Sequence, residues 1–323
     1  MRPFRTDHAP LRRTRRAPRP RLASLSVVVT AVATIALVPG CGASSADRSA
    51  ATASTTTTTN ASSAYGSGWT ANPTAATDAV HTATRAFNAQ IVASTAAFVD
   101  AVDRLQSDAA AGDTAAARSD ELAAQAGYDG IRVLETGNAV NGATLDELST
   151  DAAPDTSFGG LHAVERDLWV GGPLAADVAS LAGQAPVAQF LLGRVRLGPE
   201  AVGQVAVDQL NWVGDVALPV GQERFSHLGL VDVAATEQAA HRSFDDVEPL
   251  AALVAPGQTA TVSAQFAALD ADVAALGDPT VVPDATVGPA ARLAVTRQLD
   301  ATAAGLARLV ARLTPFGTDG APS

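Results

Sequence analysis

From Thr77 onward, apolar positions return at helical intervals. Val80, Thr84, Phe87, Ile91, Phe98, Val102 and Leu105 follow one another in steps that keep a single face of a helix, predicting a long helix over 77–110. Gly112-Asp113 breaks the pattern, and Asp113 is suited to cap a second helix over 114–138. The apolar line of that helix is read through Leu122, Ala126, Ile131 and Leu134. Residues 138–154 read as a loop. Helices are then expected over 158–170, 174–194, 200–218, 228–254, 258–276 and 287–313. Gly171-Gly172-Pro173, Leu197-Gly198-Pro199, Pro219-Val220-Gly221, Pro256-Gly257 and Gly277-Asp278-Pro279 punctuate them. No alternating period-2 run of any length appears. The pattern predicts an all-α fold of about eight helices joined by short loops, as in helical bundles.

Ahead of Thr77 the pattern differs. Residues 1–22 are rich in Arg, and residues 23–39 form an apolar run shorter than the ~20 residues of a membrane span. Together they read as a secretory signal. Val38-Pro39-Gly40-Cys41 resembles a bacterial lipobox, although Pro39 is not the usual occupant of its position. Cys41 is the single cysteine of the chain, so an intramolecular disulfide and a cysteine metal cluster are both excluded. The expectation is removal of residues 1–40, lipidation of Cys41 and anchoring on the extracytoplasmic face of the cell membrane. Cleavage near Gly40 or Ala43 with an incidental cysteine is the alternative. Arg12-Arg13 and Arg15-Arg16 leave both the general and the twin-arginine export routes open. Residues 41–76 consist mostly of Ser, Thr, Ala, Gly and Asn and read as a disordered tether, with the folded domain expected over 77–315.

Charge sharpens this division. The whole chain carries a formal net charge of −11 and every basic residue is Arg. Residues 1–40 hold eight Arg and one acid, so the remaining 14 basic and 32 acidic residues carry −18. Such a charge disfavours a nucleic-acid partner, whose backbone requires a basic footprint. An acidic exported domain suits a cation, and equally suits plain solubility. Glycine-rich phosphate loops and the Gly-x-Ser-x-Gly nucleophile motif are absent.

One stretch brings metal-capable side chains together: Gly160-Leu161-His162-Ala163-Val164-Glu165-Arg166-Asp167-Leu168-Trp169. On a helix, His162 and Glu165 share a face and can reach one cation. Spacing alone also fits a solvated surface pair. A nitrogen donor beside a carboxylate suits iron, manganese or zinc more than calcium. The metalloprotease pattern His-Glu-x-x-His fails here, because Ala163 stands where the base belongs and Arg166 where the second His belongs. His81, His227 and His241 read as single solvated histidines, and Asp245-Asp246-x-Glu248 as a solvated acidic face.

The Gly-x-His-x-x-Glu stretch followed by Leu168-Trp169 resembles the signature of the imelysin-like family, nearest to the EfeM/EfeO-type lipoproteins of bacterial iron uptake. A second stretch is similar to another motif of that family: Gly221-Gln222-Glu223-Arg224-Phe225-Ser226-His227, then Leu230-Val231-Asp232-Val233-Ala234-Ala235. A third, Tyr128-Asp129-Gly130-Ile131-Arg132, resembles Tyr-Glu-x-Ile-Glu. The resemblance covers roughly residues 77–313. It implies two packed helical bundles with a metal site between them, in the short form that lacks a cupredoxin domain. It further implies Asp129 and Asp232 as ligands beside His162 and Glu165, with Glu223 and His227 as additional candidates. Three departures from the family pattern stand out, one being that no acidic pair is evident upstream of Gly221, where Leu210-Asn211-Trp212 lies between Asp208 and Asp215. Arg132 replaces a carboxylate and cannot ligate a metal, so it would sit in the cation's place by pairing with Glu165 or Asp129. Thr236 replaces an Asn.

The expected role is to hold iron and pass it to a membrane permease, with a peroxidase of the same uptake system as a further partner. Zinc, manganese and copper stay open as the cation. Two other readings stay open as well: a module for an acidic polysaccharide or an envelope partner with a degenerate metal site, and a metallopeptidase-like protein.

Overall fold

In the computed structural model, the first helix, α1 (Pro73–Ala111), opens on a proline, whose restricted φ and missing N–H suit a first helical turn. It starts four residues before the expected Thr77, so Pro73–Ala76 belong to the folded part rather than the tether. The structure describes residues 73–134, 145 and 159–314, all within the compact unit Thr57–Ser323. The signal segment 1–40, Cys41, most of the tether and nearly all of the 138–154 loop lie outside the described residues.

The Asp113 cap forms as expected: its side chain accepts the Ala116 N–H at 3.0 Å and starts α2 (Thr114–Asp129). This helix ends well before 138. Gly130, a poor helix former, follows Asp129, and the chain tightens into a 3₁₀ turn, Arg132–Leu134. Next come α3 (Gly160–Trp169), α4 (Leu174–Leu192), α5 (Pro199–Trp212), α6 (Leu230–Val254), α7 (Pro256–Ala274) and α8 (Pro289–Val310). A π-helical segment, Val213–Ala217, and one further turn, Leu218–Val220, extend α5. The fold is all-α, and no strand occurs among the described residues. None of the described helices is long and apolar enough to cross a membrane.

The eight helices named, all among the described residues, form two rings of four. In the first, α1 packs on α2, α2 on α3, α3 on α4 and α4 on α1. In the second, α5 packs on α6, α6 on α7, α7 on α8 and α8 on α5. The bundles meet where α6 lies against α1 and α2. Each core has an aromatic centre: Phe98 and Tyr128, 6.0 Å apart, in the first, and Phe244 stacked on Phe266 at 5.1 Å in the second.

Leucine, valine and alanine fill the rest of the buried core, and a glycine lets two helices approach closely at one point. A Cβ placed on Gly127 would sit 3.0 Å from the Phe98 Cα, a backbone atom with little room to retreat. Gly127→Val should therefore force α1 and α2 apart and cost about 2–3 kcal/mol, lowering the melting temperature by roughly 5–10 °C. Thermal unfolding followed by circular dichroism measures this; a melting temperature within a degree of wild type would contradict the close approach.

Candidate metal centre

The buried face of α3 is mixed. Leu161, Val164 and Leu168 face inward, and so do His162 and Glu165, which are 1% and 0% exposed. Buried polar groups require partners, and the Gly221–His227 stretch supplies those of Glu165 Oε1. The route into that stretch is unusual. After the π segment and the Leu218–Val220 turn, Gly221 takes φ +68°, a conformation that costs a side-chain-bearing residue. The chain then turns so that the Phe225 and Ser226 N–H groups both donate to Glu165 Oε1, at 2.9 and 2.8 Å. The same turn carries Glu223 inward, where it is 2% exposed.

Three side chains therefore converge between the bundles. The nearest ligand atoms of His162, Glu165 and Glu223 all lie within 4.8 Å of one another. His162 Nδ1 is 3.7 Å from Glu165 Oε2 and 4.0 Å from Glu223 Oε1. Both separations exceed hydrogen-bonding distance. They are close to the roughly 3.4 Å between donor atoms that share one cation through bonds of about 2.1 Å. Among the described residues no hydrogen-bond donor faces either oxygen of Glu223.

The electrostatics of the group follow from crowding. Burial pushes the Glu223 carboxyl well above its ordinary value, and the nearby charges of Asp232, Glu121 and Glu165 push it further. Burial acts on Glu165 in the same direction. There, however, His162, the two backbone amides and the Glu223 carboxyl outweigh it and leave Glu165 below its ordinary value. Without a cation, then, Glu223 holds its proton to higher pH than Glu165 does. A bound cation would take over the role of that proton.

Not every expected residue joins the trio. Asp232 is fully buried in the first turn of α6, near enough to act on Glu223 through its charge. Asp129, expected as a ligand, instead faces Arg132, which donates from Nη2 at 2.6 Å and from Nε at 3.1 Å, while Gln125 donates at 3.2 Å. Arg132 is held in place by aromatic faces, 4.7 Å over Tyr128 and 4.3 Å over Trp212. Of the two pairings expected for Arg132, the one with Asp129 forms, and Asp129 is not in the converging group. His227 is exposed at φ +61°, and its carbonyl accepts the Asp284 N–H, so its imidazole is not in the trio either. Glu121 is a residue the sequence reading missed. It lies fully buried on α2, where Glu121, Gln125 and Asp129 succeed one another four residues apart on one face. That polar spacing on a packed helix was the available signal.

A second group of this kind lies in the other bundle: Glu237, His241 and Asp270. His241, read from sequence as solvated, is only partly exposed and stacks on Phe266 at 4.6 Å. Among the described residues there are thus two carboxylate–histidine groups that could hold a metal ion.

No protein-family model matches the chain, and no curated protein matches it. The stretches Gly160–Trp169 and Gly221–His227 meet at the trio.

Proposed function

We propose that the chain is an exported, lipid-anchored protein that holds iron between its two helical bundles and hands it to a membrane permease. The observation that supports this reading most directly is the convergence of buried His162, Glu165 and Glu223, with both Glu223 oxygens facing no donor. A buried carboxylate pair flanked by further acids is costly unless a proton or a cation resolves the repulsion. One imidazole with carboxylate oxygens suits iron in either common oxidation state and gives calcium too few oxygens. Cys41 would tether the domain at the membrane, near the permease that receives the ion.

Competition between proton and cation gives such a site a means of release. Metal uptake should displace the proton held by Glu223, and acidification should return it. Iron analysis of the full chain, recovered from membranes of iron-replete cells, tests the proposal. Bound iron is the expected result. Protein that carries no iron, and takes up neither ferrous nor ferric iron when supplied, would overturn it.

A further inference from the structure

We propose that Glu237, His241 and Asp270 form a second cation site in the α5–α8 bundle, suited to a divalent first-row transition metal and independent of the site between the bundles. Glu237 and His241 stand one helical turn apart on α6, and Asp270 reaches them from α7. Their nearest ligand atoms all lie within 4.8 Å of one another.

Three features separate this group from an ordinary acidic surface. Glu237 is 2% exposed, and no donor among the described residues faces its Oε1. An orphaned buried carboxylate oxygen calls for an explanation, and a cation supplies one. The imidazole is also oriented in advance. His241 lies nearly parallel to the Phe266 ring, 10° between planes, with Nδ1 3.1 Å from Asp270 Oδ2 and Nε2 3.6 Å from Asp245 Oδ1. Finally, the group lines a cavity of about 720 Å³, which gives an ion a way in and leaves room for water to complete its coordination.

Arg242 lines the same cavity and is the internal rival for these acids. Its side chain is exposed, and among the described residues it forms no ion pair within 4.0 Å. Its charge reaches Glu237 from a distance, but it does not occupy the place beside the Glu237 oxygen. One nitrogen and two carboxylate donors match zinc, manganese or ferrous iron, whereas calcium needs six or more oxygens.

Zinc alone, titrated calorimetrically into the full chain, tests the site, with cobalt(II) absorption as a readout of coordination by His241. Wild type should bind two zinc ions. A His162→Ala/Glu223→Gln double variant should keep one of them, together with a cobalt spectrum. In that background His241→Ala should weaken the remaining zinc by on the order of 100-fold and abolish the cobalt band. Asp270→Asn, at a partly exposed position that tolerates change, should bring wild type from two zinc ions to one. The site is overturned if the double variant binds no zinc, or if Asp270→Asn and His241→Ala both leave zinc stoichiometry and affinity unchanged. Loss of zinc only in the double variant would overturn this second site and leave the interbundle reading intact.

Discussion

His162→Ala and Glu223→Gln should each weaken iron binding between the bundles by on the order of 100-fold, with helicity unchanged. Both remove a donor from the converging group itself. Glu165→Ala should weaken binding at least as much and also loosen the protein. Glu165 Oε1 accepts the Phe225 and Ser226 amides, so its loss leaves two backbone donors of the Glu223 turn without their acceptor. About 1–3 kcal/mol of stability should go with it. Asp129→Asn provides the contrast. Asp129 serves Arg132, so this change should leave iron affinity within about threefold of wild type while costing about 3 kcal/mol through the buried ion pair. Arg132→Glu should likewise destabilise without raising affinity, since it sets two carboxylates against each other beneath Trp212. Calorimetric titration with iron, alongside urea unfolding, separates the two classes. Equal iron affinity in wild type and His162→Ala would falsify the assignment of the site.

The helices were legible because each has enough apolar residues at helical spacing to define a buried face. Phe87, Ile91, Phe98, Val102 and Leu105 are all buried on α1 as their spacing requires. Helix α2 shows where that logic gives out. Following Leu122 and Ala126 points to one face, but Ala126 is half-buried, while Glu121, Gln125 and Asp129 are fully buried beside Tyr128. A helix that lines a polar site mixes polar with apolar residues on its inward face, so apolar periodicity alone misplaces it. His162 and Glu165 could be paired from sequence because both stand on one helix at a spacing with a meaning. Glu223 could not be ranked above Asp129, because a turn has no period, and only the amide contacts to Glu165 bring it inward. His241 was misread for a different reason: its partner Asp270 is 29 residues away on another helix. The π segment after Trp212 left no trace in the apolar pattern, since it shifts the backbone register without changing residue types.

Metal-free protein should lose stability as pH rises from about 5 to 8, against the behaviour of domains whose carboxylates are held ionised. Three acids set the sign. Burial, then the proximity of Asp270, raises Glu237 to about 9. Burial, then Asp245, raises Asp246 to about 7. Glu223 is raised as well, by burial and by its acidic neighbours. In the unfolded chain all three would titrate near their ordinary values of 3.8 or 4.5. Below those values both states hold the protons, and stability is fully present. Above them the unfolded chain releases its protons first, while the folded chain must keep them or bury a charge. Stability therefore falls until the folded-state values are passed, by at most about 1.4 kcal/mol per pH unit for each group. Glu165 acts in the opposite direction, but its lowered value places its effect below pH 4.5, outside this window. A cation bound at either group replaces the protons and should flatten the slope while raising the curve. Thermal unfolding after chelation, scanned from pH 5 to 8 with and without added metal, measures both effects. A metal-free melting temperature that stays level or rises across that range would mean that Glu223, Glu237 and Asp246 are not confined with their acidic neighbours in the way that makes each group attractive to a cation.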